Sequence, residues 1–248
     1  MILLADCGNT RLHLGSWDGT CVQDVREAEY GIGSIAAFTA EYTCGRTFDG
    51  AAACSVSRKR RDTVFPVLAD IFPGLFRIAP GVAALPIRTA YARPESMGVD
   101  RALAAIAAWK MVQRSCVVVD AGTAVTIDGI SGSGEMTGGF IFPGFGTVSM
   151  ALATVADLPA TDPTIGTIVP GTSTESCIAN ALAIGFPAAV ARLVEVMRVS
   201  SDADAPVVLA GGGAEFYAGA ITGTVHRRPL LVLEGLGLVM DYLVPYRQ

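Results

Sequence analysis

Two short segments of this chain place a carboxylate, a small residue, a glycine and hydroxyl or amide donors directly after an apolar run. One is Asp6-Cys7-Gly8-Asn9-Thr10 after Ile2–Ala5; the other is Asp120-Ala121-Gly122-Thr123 after Val117–Val119. Such a turn suits phosphate. Its glycine permits positive φ and lets phosphate oxygens approach the backbone N–H groups. Thr and Asn add donors, and an aspartate at a strand end can hold Mg²⁺, usually through water. Either segment alone reads better as an ordinary hairpin with an Asp-Gly-type turn; it is the pair, each after a buried strand, that favours phosphate. The two share one layout, strand, Asp-x-Gly, strand, with aspartates 114 positions apart in 248 residues. That internal echo points to two similar lobes facing each other across a cleft.

A third constellation, Tyr91, Pro94 and Gly98-Val99-Asp100-Arg101, precedes an alanine-rich helical stretch. Asp100 falls in the first turn, where the helix dipole favours an ionised carboxylate. Simple N-capping accounts for it. The functional alternative is a general base facing the cleft, with Arg101 anchoring an anionic substrate.

The elements that must position these residues follow from apolar spacing and breakers. Strands are expected over 1–5, 11–17, 52–56, 117–119, 124–130 and 207–210. Helices are expected over 57–71, 100–113, 174–198 and from Ala214 to Ala220, with residues 230–244 ending the chain. Residues 75–99 read as irregular, and Gly138 to Gly146 as a glycine-rich turn region.

Bulk properties narrow the function classes. Hydrophobic residues are 51% and charged residues 17%, which permits a buried core and argues against disorder. A net charge of −5 argues against a nucleic-acid partner. The basic run Arg58-Lys59-Arg60-Arg61 after Ser57 reads as the solvated first turn of a helix rather than a nucleic-acid patch. No run is expected to reach the ~18–20 apolar residues of a bilayer span, and Met1–Ala5 lacks the basic start of a signal peptide. The six cysteines are scattered without a C-x-x-C pair, and only His13 and His226 exist. Reduced, mostly buried thiols of a cytoplasmic protein are therefore expected, with no zinc site. The only lysines are Lys59 and Lys110, and neither lies in a G-x-x-x-x-G-K-[ST] loop. The protein-kinase motif set is also missing. Any ATP chemistry must rest on backbone amides, carboxylates and hydroxyls.

Taken in order, these motifs resemble the bacterial type III pantothenate kinases. The matching residues are Asp6–Thr10, Tyr91 with Gly98–Arg101, and Asp120-Ala121-Gly122-Thr123-Ala124-Val125-Thr126. Gly138-Gly139-Phe140-Ile141-Phe142-Pro143-Gly144, Gly211-Gly212-Gly213 and Leu233-Glu234-Gly235-Leu236-Gly237 complete the series across essentially the whole chain. The resemblance implies an α/β fold of duplicated actin-like (ribonuclease H-like) lobes, mixed sheets flanked by helices, with ATP in the cleft between them. This is the acetate/sugar kinase–Hsp70–actin superfold. The implied division is an N-terminal lobe over 1–114, with the first phosphate loop and the substrate element, and a C-terminal lobe over 115–248.

The implied reaction is transfer of the γ-phosphoryl of ATP to the primary hydroxyl of pantothenate, giving 4'-phosphopantothenate, the first step toward coenzyme A. By that resemblance Asp6, Cys7, Gly8, Asn9, Thr10, Arg11, Leu12 and His13 form the first phosphate loop, with Asp6 near Mg²⁺. Thr123 is the second phosphate contact. Asp100 is the proton acceptor, and Tyr91, Gly98, Val99, Arg101 and Thr174 hold pantothenate. Asp120 falls where members place a monovalent cation, K⁺ or NH₄⁺, and members are generally homodimers. One departure stands out: His13 occupies a position where the family usually has lysine. Another small-molecule kinase or phosphatase of the superfold, or a non-catalytic regulator that kept the fold, remains an alternative.

Overall fold

The computed structural model describes residues 1–163 and 169–247. The chain divides into two compact units, one of residues 1–111, 134–136 and 230–248, the other of 112–133 and 137–229.

The first unit is built on a six-stranded sheet of order β11-β5-β4-β1-β2-β3. β1 (Ile2–Cys7) is apolar apart from Asp6, pairs antiparallel with β2 (Arg11–Trp17) and parallel with β4 (Gly50–Ser55). β3 (Val22–Glu29) closes one edge, and β5 (Phe76–Ile78) and β11 (Val244–Pro245) extend the other. One sheet face carries Leu3, Ala5, Leu12 and Leu14 and packs with Tyr42 of α1 (Ile35–Thr43) and Phe65 and Leu68 of α2 (Arg58–Ile71). Ser57 caps α2 by accepting the Arg60 N–H at 3.4 Å. α3 (Val99–Val112) buries most of its alanine-rich length, and α7 (Leu231–Leu238) packs against β1, β3 and β4. Gly235 is required where α7 crosses α3: an added β-carbon would run into the Leu103 carbonyl.

The second unit repeats the plan with five strands, β10-β9-β6-β7-β8. β6 (Cys116–Ala121) pairs antiparallel with β7 (Ala124–Ile130) and parallel with β9 (Val207–Ala210). β8 (Met136–Pro143) and β10 (Val225–Arg227) form the edges. α4 (Phe145–Val155), α5 (Thr174–Ser201) and α6 (Ala214–Ala218) complete it. Its core joins Val117, Val119 and Ile127 to Phe186, Val190 and Val194 of α5.

In both sheets the strand before the Asp-x-Gly loop is central, its hairpin partner lies on one side and a parallel strand on the other. The duplicated α/β architecture expected from the echo is thus present. Four details differ from expectation. Residues 138–143 are a strand rather than a turn region, because Phe140 and Phe142 alternate inward onto the core. β3 was not expected, since ValGlnAspValArgGluAlaGlu lacks an apolar stripe and forms an exposed edge. Residues 230–247 belong to the first unit, where α7 covers β1 and β11 pairs with β5. Finally, α5 is long and apolar enough to cross a membrane by length and composition, its span Thr174–Ser200 having a hydropathy of 1.7. Its Phe186, Val190, Val194 and Met197 are core residues, so much of that apolarity serves packing.

Candidate active site

The first loop is three residues, Gly8–Thr10, between β1 and β2. Asp6 stands just before it, largely buried, at the register position of Cys54 on one side and His13 on the other. Both neighbours touch its carboxylate. Cys54 Sγ lies 3.6 Å from Asp6 Oδ1 as a donor. Burial, then the charge of Asp6, with Cys7 and Asp100 adding, pushes the Cys54 thiol well above its ordinary pKa. It stays S–H and donates to the Asp6 carboxylate. His13 Nδ1 lies 3.7 Å from Asp6 Oδ2, and its Nε2 lies 3.4 Å from Glu27 Oε2. Register explains the row, because Asp6, His13 and Glu27 are consecutive partners across β1, β2 and β3. Asp6 raises the His13 pKa above the ordinary imidazole value, burial opposes, and Glu27 adds to the rise.

Gly8 and Gly122 do not use the left-handed conformation expected of them. Gly8 is constrained by proximity: a β-carbon there would stand 3.1 Å from the Arg11 carbonyl. The loop's own carbonyls are held from behind. Ser55 Oγ donates to Cys7 O at 2.9 Å, Arg60 Nε to Asn9 O at 2.9 Å, and the Tyr30 N–H to Thr10 O at 3.1 Å. Arg60 therefore does not behave as a merely solvated member of the basic run.

The substrate element is at the start of α3. The Arg101 N–H donates to Asp100 Oδ1 at 2.7 Å, a local helix-start contact. Arg101 is 7% exposed, and its Nη1 donates to Tyr91 Oη at 2.7 Å. That pairing fixes the residue 91 strap against α3. Val99 opens the helix, and Gly98 leaves room for the Asp100 carboxylate. The α3 start lies near the end of β4, where Gly98 stands beside Val56, and β4 in turn pairs with the strand that carries Asp6.

In the second unit, Thr123 is embraced by Gly144 N–H and Thr147 Oγ1, which reach its carbonyl at 3.0 and 2.6 Å. Gly211 needs its positive φ of +82°, and a β-carbon there would stand 2.5 Å from both Asp120 Oδ1 and Ala121 O. The Asp120 register neighbours are Thr126 and Ala210, where Asp6 has His13 and Cys54. The duplicated loops thus differ in the chemistry around their carboxylates. Thr174 is exposed in the first turn of α5, behind a Ser173–Ser176 capping box.

Sequence reasoning missed Cys54, Glu27, Tyr30 and the contact made by Arg60. Cys54 sat unmarked in an apolar strand, and the other three depend on the unforeseen β3 and the following turn. The expectation that the thiols are mostly buried holds for Cys7, Cys54 and Cys116, whereas Cys21, Cys44 and Cys177 are exposed.

A model of the family described as type III pantothenate kinase matches residues 2–196. A type III pantothenate kinase of Halorhodospira halophila is 41% identical over 157 residues, 62% of this chain and 61% of that protein. The chain thus aligns with about three fifths of that relative's length. The type III pantothenate kinase of Salinispora arenicola is 32% identical over 257 residues, 97% of this chain and 99% of its own. Among solved structures, one described as a 2-dehydro-3-deoxygalactonokinase of Sinorhizobium meliloti superposes with a TM-score of 0.61. It is 13% identical over 100% of this chain and 98% of its own, a likeness of fold. The family match over most of the chain and the whole-length relative settle the assignment: the chain belongs to the type III pantothenate kinase family.

Proposed function

We propose that this chain carries out the reaction of its family, ATP-dependent phosphorylation of pantothenate to 4'-phosphopantothenate, by in-line transfer with Asp100 as general base. The observation that carries the proposal is that the α3 start lies against the end of β4, with Gly98 beside Val56, next to the strand that leads into the Asp6 loop. One carboxylate follows a loop whose carbonyls are held from behind; the other opens a helix beside the Tyr91–Arg101 pair. That is the division of labour phosphoryl transfer needs, with charge stabilisation on one side and a proton acceptor on the other.

In this reading Asp100 takes the proton of the pantothenate hydroxyl as the oxygen attacks phosphorus. The loop from Asp6 to His13 and Thr123 hold the phosphates through N–H and hydroxyl donors. Tyr91, Gly98, Val99 and Thr174 shape the pantothenate site, with buried Arg101 acting through Tyr91. Among the described residues no group of three His, Cys, Asp or Glu side chains is placed to hold a metal. The single carboxylate of Asp6, only partly exposed at the end of β1, suits Mg²⁺ brought with ATP, which rests on one or two carboxylates, water and phosphates. Asp6 would hold it through water, and its chemistry when bound is neutralisation of phosphate charge. Asp120 would hold a monovalent cation, K⁺ or NH₄⁺. We assign the protein to the cytoplasm, and as a homodimer, the latter supported by exposed Met150, Val155, Ile184 and Val199 on α4 and α5.

Purified protein incubated with ATP, Mg²⁺, K⁺ and pantothenate should yield ADP and 4'-phosphopantothenate by mass spectrometry. Turnover of a different alcohol with pantothenate untouched would overturn the substrate; no phosphoryl transfer to any acceptor would favour a non-catalytic role.

A further inference from the structure

A loop that receives phosphate must present N–H groups to it and turn its carbonyls elsewhere, because a carbonyl dipole aimed at phosphate repels it. The carbonyls of Cys7, Asn9 and Thr10 each accept a hydrogen bond from Ser55, Arg60 or Tyr30. Two of these three donors come from neighbouring polypeptide that the sheet already fixes, the Ser55 hydroxyl ending β4 and the Tyr30 N–H following β3. The third is a long cationic side chain, and its aim is held by a second contact. The Arg60 guanidinium lies 4.0 Å from the centroid of the Tyr30 ring. Tyr30 thus holds Thr10 through its N–H and Arg60 through its ring, while Arg60 holds Asn9. Ser57 caps the helix on which Arg60 rides.

We infer that Arg60 is a positioning residue for nucleotide binding: stacked on Tyr30 and bonded to Asn9, it fixes the phosphate loop with its N–H groups outward. The inference rests on the Asp6 loop being the phosphate site. It uses two properties that arginine has and lysine lacks, a directional Nε–H in a planar group and a flat face for an aromatic ring. A charge-assisted bond to the Asn9 carbonyl is also among the stronger hydrogen bonds.

The test compares wild type, Arg60→Ala, Arg60→Lys and Tyr30→Leu, measuring KM for ATP, KM for pantothenate, kcat and thermal midpoint. Arg60→Ala should raise the ATP KM about tenfold, with the pantothenate KM within about twofold of wild type. Arg60→Lys should recover only part of that loss, and Tyr30→Leu should raise the ATP KM in the same direction. An unchanged ATP KM in Arg60→Ala overturns the inference, as does full recovery by lysine, which would leave charge alone at work. Both KM values rising together with a fallen midpoint would mark a structural role and overturn it too. Should Arg60→Ala not fold, Arg60→Lys and Tyr30→Leu carry the same comparison. A wild type that transfers phosphoryl while Asp6→Asn does not, beside a neutral Arg60→Ala, defeats this inference alone. A wild type inert toward ATP defeats the phosphate-site reading beneath it.

Discussion

A β-carbon added to Gly98 would collide with Oδ1 of Asp100, the same oxygen that accepts the Arg101 N–H at 2.7 Å. The carboxylate lies back over the residue that precedes its helix, and only a glycine there leaves the space. Gly98 is not in the left-handed region, so an alanine fits the backbone. Gly98→Ala should fold normally and move the carboxylate. We expect kcat to fall by about tenfold or more, since small displacements of a catalytic group are costly. Steady-state kinetics beside a thermal melt would check it; an unchanged kcat would mean that the carboxylate's place does not matter.

Asp100→Asn keeps the Oδ1 acceptor and the shape of the side chain but removes the base. Turnover should fall by about 10²- to 10⁴-fold, the usual contribution of general base catalysis. Stability should change by no more than about 1 kcal/mol, because asparagine also suits a helix start and keeps the acceptor oxygen. ADP release and urea unfolding measure the two quantities. Unfolding of the variant, or full activity, would remove Asp100 from the role.

The segments of the candidate site were legible because each is local. Asp6–Thr10 and Gly98–Arg101 are each contiguous in sequence, and the apolar runs before Asp6 and Asp120 are central strands in the structure. What was not legible depends on partners far along the chain. Asp6 meets Cys54 through parallel pairing of β1 with β4, 48 positions apart, and nothing in AlaAlaAlaCysSer marks that cysteine. Glu27 reaches His13 only because a polar edge strand pairs there, and such a strand leaves no hydrophobic period to read. Arg60 looked solvated because charge runs usually are; its cation–aromatic contact needs Tyr30 from the turn after that same strand. The Leu233–Gly237 motif was visible, but its reason, contact of Gly235 with α3, required the fold.

Gly235→Ala should therefore act at a distance. The added carbon meets the Leu103 carbonyl, which is backbone and cannot rotate away, so α3 or α7 must move. Overpacking of this kind costs about 1–3 kcal/mol. Since α3 carries Asp100 in its first turn, we expect a lowered urea midpoint together with a reduced kcat. A stability loss with kcat intact would show that the α3 start is positioned independently of α7.

His13 gives the protein a pH dependence whose sign can be worked out. Its pKa is raised above the ordinary 6.5 in the fold, chiefly by Asp6. The protonated form is thus favoured by folding, and this stabilisation is fully present below the unfolded pKa. It is lost as pH rises through the higher folded value. In metal-free buffer, His13→Gln should lower the thermal midpoint relative to wild type at about pH 5.5, with the gap closing by about pH 8.5. His13→Lys places a charge here that is kept across that range. Its midpoint should lack the wild-type decline between those pH values, and its activity should equal or exceed that of wild type. A complete loss of activity in His13→Lys would show instead that the imidazole, held between Asp6 and Glu27, has taken on a role that a lysine cannot fill.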